Sequence, residues 1–287
     1  MKIARFNSSR VGLVENELIY DVTDAAGYAG DVWPPIGMIQ LIAAFSEKKE
    51  ALERAMAGAV TLPLSSVHLD TPIPWPSKVI AYPVNYVAHG KEMASASRAD
   101  TQGFFLKAPS SLSGASDAIV LPELQGKEFH HECELAIIIG RRGRHIRRAD
   151  ALDYIFGYAC LIDVTVRGKQ ERVMRKSFDT FCPTGPWITT ADEISAPENL
   201  SLRLWVNGAV RQDASTRDLI LDIPGMIEMA SSAMTLEPGD IIATGTPQGV
   251  GSIVPGDLVK IEIEKVGQME VRVVQGVPAF NLAFQTK

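Results

Sequence analysis

Hydrophobic and polar positions change period several times along the chain. The run His130-His131-Glu132-Cys133-Glu134-Leu135-Ala136-Ile137-Ile138-Ile139-Gly140 reads as a strand entering an apolar core. Side chains alternate along a strand, so Glu132 and Glu134 share one face and Cys133, Leu135, Ile137 and Ile139 the other. Short strands are expected over 2–6, 12–14 and 18–22. Met38, Leu41, Ile42, Phe45, Leu52 and Met56 recur at helical spacing, which predicts a helix from Gly37 to Met56. Thr71-Pro72-Ile73-Pro74-Trp75-Pro76 enforces an extended linker, so a small N-terminal domain over 1–70 and a larger one over 71–287 are expected.

Beyond the linker, strands are expected over 78–82 and 117–122. Another, over 103–112, ends in a polar turn, and a loop enters a short helix over 85–92. The basic run from Arg141 to Arg148 reads as a solvated turn leading into a helix near Asp150. Tyr154 to Ile162 is an apolar strand ending at Asp163. Residues 175–187, rich in Gly and Pro, read as an ordered loop that carries Lys176. Asn207-Gly208 between Leu200–Val206 and Ala209–Ser215 signals a tight hairpin. A helix follows over 223–234, then a strand from Asp240 into a glycine-rich loop, then alternating strands over 257–275.

Composition narrows the function classes. The chain has 287 residues, 46% of them hydrophobic, enough for a sizeable core. A net charge of −6 with dispersed signs argues against a nucleic-acid partner. No apolar run is long enough for a membrane span, and the amino terminus lacks the apolar core of a signal peptide. Cys133, Cys160 and Cys182 are odd in number and far apart, which fits a reducing, cytoplasmic setting better than a disulfide framework.

The candidate chemistry gathers on acidic residues. Two like charges about 5 Å apart cost roughly 3 kcal/mol at an effective dielectric near 20. A divalent cation on carboxylate oxygens is the simplest offset for Glu132 and Glu134, although a bare E-x-E also suits a solvated strand face. Asp163, after a buried strand, is a third ligand candidate. His89 and Glu92, three apart on a helix, suit either a general-base pair or a surface contact. Lys107, Ser110 and Ser111 suit either a grip on an anionic substrate or a turn. The loop Thr244-Gly245-Thr246-Pro247-Gln248-Gly249-Val250-Gly251 is neither a Walker A loop nor a dinucleotide fingerprint, but its N–H groups suit a carboxylate.

Taken together, these segments resemble the fumarylacetoacetate hydrolase superfamily, in particular its acylpyruvase and 2-hydroxyhepta-2,4-diene-1,7-dioate isomerase-like members. The resemblance rests on Asn85-Tyr86 with His89 and Glu92, Glu132-Cys133-Glu134-Leu135, and Asp163-Val164-Thr165-Val166-Arg167. Lys176-Ser177-Phe178-Asp179-Thr180-Phe181 and the loop from Thr244 to Gly251 complete it, over roughly 75–275. It implies a mainly β fold with some α: a mixed β-sandwich or roll catalytic domain preceded by a small α+β domain, in a homodimer. It assigns Glu132, Glu134 and Asp163 to Mg²⁺ or Mn²⁺, His89 and Glu92 to activation of water, and Lys176 to the reacting carbonyl oxygen. It gives Tyr86, Lys107, Arg167, Gln170, Gly245 and Thr246 to the substrate, with Thr246 on its carboxylate. His130 shares the ligand face by strand phase, yet a supporting or structural use is favoured for it and for His131. Members often carry Asp-Leu where this chain has Gly168-Lys169, which alters the pocket wall.

The implied reaction is metal-dependent hydrolysis of a C–C bond in a 2,4-diketo acid, giving a 2-oxo acid and a carboxylic acid. Decarboxylation of oxaloacetate and isomerisation of a hydroxymuconate-type diacid are the alternatives, since both draw on the same enolate chemistry. A binding protein with a vestigial site is a third, separated from the others by metal affinity.

Overall fold

The computed structural model describes residues 1–8, 10–28, 32–93, 98–278 and 282–284. Among them, a long mixed sheet forms the frame. Its strand order is Thr61–Pro63, Leu18–Asp21, Arg10–Glu15, Lys2–Phe6, Cys182–Thr190, Ile155–Ile162, Cys133–Ile139, Ile241–Ala243, Val79–Ala81 and Phe105–Lys107. The short strand Leu112–Ser113 pairs in parallel with Cys182–Thr190. Cys133–Ile139 and Ile155–Ile162 are buried at every position, and so read as continuous apolar runs. Cys133, Leu135, Ile137 and Ile139 pack into one apolar cluster, while Ala136 and Ile138 pack into another on the opposite face. The alternation expected along this strand therefore holds, with both faces covered.

The strand expected from His130 to Gly140 is broken at Glu132. Phe129–His131 instead lies between Thr165–Val166 and Gly251–Ile253 in a small separate sheet. The chain thus changes sheets at Glu132, which places this carboxylate at the seam. A third sheet runs in the order Ala209–Ser215, Ser201–Val206, Leu258–Ile263, Gly267–Pro278 and Ile119–Glu123. Its hairpin turns at Asn207 (φ 51°) and Gly208 (φ 78°), as the Asn-Gly pair requires.

Three further expectations change. The helix expected over 37–56 is two helices, Gly37–Ala43 and Phe45–Met56, and the break lets Phe45 meet the Phe156 ring edge-on, 4.9 Å between centroids. The segment expected as a loop over 175–187 contains the end of the helix Arg172–Lys176 and most of a fully buried strand, Cys182–Thr190. The helix expected near Asp150 is the 3₁₀ segment Arg148–Tyr154. The domain boundary expected near residue 70 does not divide the sheet. Lys2 pairs with Thr189 and Ile3 with Ile188, so the N-terminal strands extend the same surface. Among the described residues, no helix is long and apolar enough to cross a membrane.

Candidate metal centre and active site

Glu134 projects from the central strand, Glu132 from the seam just before it, and Asp163 from the end of the neighbouring strand. Cys133 lies opposite Ile162 in the register, and Asp163 N–H donates to Glu132 O at 2.9 Å. This pairing brings carboxylates 31 positions apart in sequence into one group. One oxygen from each of Glu132, Glu134 and Asp163 lies within 4.8 Å of the others, and all three residues are buried.

Two lysines offset this charge. Lys176 Nζ donates to Glu132 Oε2 at 2.7 Å and to Asp163 Oδ2 at 2.6 Å. Lys107 Nζ donates to Asp163 Oδ1 from behind and to Phe181 O at 2.9 Å. Burial disfavours the Glu132 charge, but the Lys176 ammonium and Arg167 guanidinium outweigh it and hold its carboxyl below the usual range. Burial also opposes the Lys176 charge, and the carboxylates of Asp163, Glu132 and Glu134 overcome it and raise its pKa. Glu134 goes the other way: burial, then the charges of Asp163 and Glu132, push its carboxyl well up. Among the described residues, its one hydrogen bond comes from Gly245 N–H at 2.8 Å. Glu134 is therefore the carboxylate that neither lysine bonds. Three clustered, buried oxygen donors with one left uncompensated fit a hard divalent ion such as Mg²⁺ or Mn²⁺.

A cavity of about 270 Å³ opens beside the triad. His89, Lys176, Thr246, Arg167, Arg172 and Arg175 share its wall with the three acids. His89 sits on the helix Val87–Glu92, its Nδ1 3.1 Å from Glu92 Oε2. A carboxylate only accepts, so Nδ1 carries a proton toward Glu92, and in the neutral ring the lone pair sits on Nε2. Glu92 is held in turn by Gly249 N–H at 3.0 Å. The loop that carries Thr246 needs its glycines. Gly245 has φ +90°, and a Cβ there would lie 2.7 Å from Asn85 Cβ and 2.9 Å from Tyr82 O. Gly249 has φ +95°, with Arg211 O only 2.0 Å from where a Cβ would stand.

Several residues expected on the substrate lie elsewhere. Lys107 is sealed behind Asp163 with its side chain 0% exposed, and so supports the triad and is not part of the cavity wall. Tyr86 is buried off the cavity, its hydroxyl without a partner among the described residues and its backbone bridged to Leu219. Gln170 turns away, its amide nitrogen donating to Ala283 O, while Gly168 takes a place on the wall. Gly245 acts through its N–H on Glu134 and is also absent from the wall. His130, expected in a supporting or structural use and not on the substrate, bonds Glu128 at 3.1 Å, outside the cavity.

Arg172, Arg175, Gln212 and the work of Asn85 were not expected from the sequence. Arg172 and Arg175 precede Lys176 at positions four and one residues earlier on a short helix, a spacing that hints at a shared cationic end. Asn85 is buried, and its amide bonds Leu221 N, Leu221 O and Thr244 O within 2.8–2.9 Å, pinning the start of the loop. Gln212 lies in a polar run with no periodic signal.

Comparison with known proteins agrees with this geometry. The family model described as fumarylacetoacetate (FAA) hydrolase C-terminal matches residues 78–274. Maleylpyruvate hydrolase of Aquipseudomonas alcaligenes is 41% identical over 285 residues, covering 95% of this chain and 99% of that protein. Oxaloacetate tautomerase YisK of Bacillus subtilis is 40% identical over 225 residues, covering 74% and 75% of the two chains. Maleylpyruvate hydrolase of Sphingobium sp. SYK-6, solved in complex with manganese(II) and pyruvate, is 54% identical. It matches with a TM-score of 0.89 over 96% of this chain and 100% of that one. From the seam at Glu132 to the loop at Thr246, the chain belongs to the fumarylacetoacetate hydrolase family.

Proposed function

We propose that this chain is a divalent-metal-dependent hydrolase that cleaves a C–C bond in a 2,4-diketo acid whose acyl group ends in a second carboxylate, as in maleylpyruvate. The observation that carries the reading is one cavity that joins a carboxylate triad, a buried lysine, a histidine and three arginines. Three cations beyond the lysine suit a substrate with an anionic far end better than a neutral acyl group. Similarity to two maleylpyruvate hydrolases supports the same substrate class.

Glu132, Glu134 and Asp163 would hold the ion, which supplies Lewis-acid polarisation and charge neutralisation when bound. Thr246 donates its hydroxyl to the carboxylate of the 2-oxo acid end. His89 Nε2 takes a proton from water, which adds to the distal carbonyl, and Glu92 stabilises the imidazolium. Lys176 spends two of its three N–H groups on Glu132 and Asp163, leaving one for the oxyanion. The C–C bond then breaks, its electron pair leaves with the 2-oxo acid as an enolate, and a proton returns to that carbon. The products are a 2-oxo acid and a carboxylic acid.

Product analysis on protein loaded with Mn²⁺ or Mg²⁺ tests this reading. The expected result is pyruvate plus an equal amount of dicarboxylic acid from a dicarboxylic acylpyruvate, with loss in Glu134→Gln. The 40% identity to an oxaloacetate tautomerase favours one competing reading. Tautomerisation or decarboxylation of oxaloacetate, or double-bond migration in an unsaturated diacid, without acylpyruvate cleavage would establish that alternative. The proposal also takes the chain as a cytoplasmic homodimer. Three buried, unpaired cysteines support a reducing compartment, and sedimentation tests the dimer.

A further inference from the structure

We propose that Gln212 is a positioning residue that fixes the direction of the Thr246 hydroxyl and makes it an obligate donor toward the substrate carboxylate. The inference rests on the reading of Thr246 as the carboxylate anchor. Gln212 belongs to the strand Ala209–Ser215, whose other side chains are exposed or half-buried. It alone in that strand is fully buried. The register slips between the pairs Leu204–Gln212 and Trp205–Val210, so Arg211 is an extra residue that turns Gln212 inward. The carbonyl of Arg211 presses on the loop at Gly249, where only a glycine fits.

The Gln212 amide makes four hydrogen bonds, the full capacity of the group. Two of its partners have one role each. Cys133 N–H, between Glu132 and Glu134, is only a donor, and it lies 2.9 Å from Oε1. Pro247 O is only an acceptor, and it lies 2.9 Å from Nε2. These two contacts set the orientation of the amide at both ends. His131 Nδ1 donates to Oε1 at 3.2 Å. Nε2 therefore donates its second proton to Thr246 Oγ1, at 2.7 Å. Because the hydroxyl accepts there, its own proton must go elsewhere. No other described residue receives it. Thr246 lines the cavity, so that proton is available to an anion bound there. The same amide that braces the backbone between two ligand carboxylates thus sets the polarity of the anchor across the cavity.

Four variants on Mn²⁺-loaded protein test this: Gln212→Glu, Gln212→Met, Thr246→Val and the double variant Gln212→Glu/Thr246→Val. Pyruvate affinity and Mn²⁺ affinity are measured for each at pH 8. A carboxylate at 212 still accepts from Cys133 N–H, but it also accepts from Thr246 and so captures the hydroxyl proton. A hydrogen bond to a charged group is worth about one to two decades in affinity. Thr246→Val and Gln212→Glu should each weaken pyruvate roughly 10- to 100-fold, with Mn²⁺ affinity held within about threefold. Gln212→Met, which sets no direction, should show a smaller loss. The decisive result is non-additivity: in the Thr246→Val background, Gln212→Glu should add less than about threefold, because no hydroxyl remains to redirect. An equal loss in both backgrounds would assign the effect to charge or to misfolding and overturn the proposal. Wild-type pyruvate affinity in both Gln212 variants, with Thr246→Val impaired, would overturn it while leaving the anchor reading intact. Wild-type affinity in Thr246→Val would remove the anchor itself, and the proposal with it.

Discussion

Lys107 and Lys176 both bond Asp163, yet they face different surroundings. Lys176 lines the cavity, whereas Lys107 is enclosed behind the carboxylate. Their substitutions should therefore separate. Lys176→Met in metal-loaded protein removes the proposed oxyanion donor and should lower kcat by about 10²–10³. Lys107→Met removes one of the two cations that Asp163 bonds and should cost about 1.5–3 kcal/mol in denaturant unfolding. A stable Lys107→Met protein would show that Asp163 does not need this cation. The arginines divide the substrate in the same way. Arg172→Ala should raise KM for a dicarboxylic acylpyruvate about 10- to 100-fold and leave acetylpyruvate nearly unchanged. Equal effects on both substrates would remove Arg172 from recognition of the far carboxylate. The acids were legible in the sequence because a strand's period of two and an acid closing an apolar run are local signals. The placement of Lys107 was not. A lysine at a strand end looks the same whether it meets a substrate or Asp163, 56 positions away.

Among the elements, short local pattern and long-range pairing part company. The hairpin at Asn207-Gly208 is dictated by residues that tolerate positive φ, so the sequence alone located it. Cys182–Thr190 was hidden. Pro183, Gly185 and Pro186 break any alternation, and the strand exists because Lys2–Phe6, Ile155–Ile162 and Leu112–Ser113 pair with it. The seam at Glu132 was hidden for a related reason: its phase continues smoothly, and the change of sheet depends on partners far along the chain. One tether between elements has a clear pH signature. Lys49, on the helix Phe45–Met56, meets Asp192 just past Cys182–Thr190 at 2.8 Å. The Lys49 and Thr190 hydrogen bonds hold the Asp192 carboxyl at about 2, below its ordinary 3.8. A depressed carboxyl stabilises the fold above its unfolded value and loses that contribution as pH falls through its folded value. Asp192→Asn should therefore lower the unfolding midpoint slightly at pH 6, and the difference from wild type should vanish between pH 4 and 2. A difference that persists at pH 2 would mean that the tether does not act through charge. Both side chains are about half exposed, so the effect should be small and should shrink with salt.

Across the whole molecule, the N-terminal strands and the catalytic sheet share one frame, and the acidic triad sits where that frame meets the small sheet at Glu132. The folded chain confines three carboxylates against two lysines at this point, so an ion that binds only the native state must stabilise the whole. Mn²⁺ at about 100 times its Kd should add about 2.7 kcal/mol and raise the unfolding midpoint, reversibly with chelator. Glu134→Gln should remove most of that rise, and an unchanged rise would place the ion elsewhere. The direction of the chemistry in the cavity is tested most directly by hydrolysis of a dicarboxylic acylpyruvate in ¹⁸O-labelled water. The expected result is one labelled oxygen per turnover in the carboxylate of the released dicarboxylic acid, reporting addition of water at the distal carbonyl. Turnover that releases no dicarboxylic acid, or releases it without label, would contradict hydrolysis driven by His89 and Glu92.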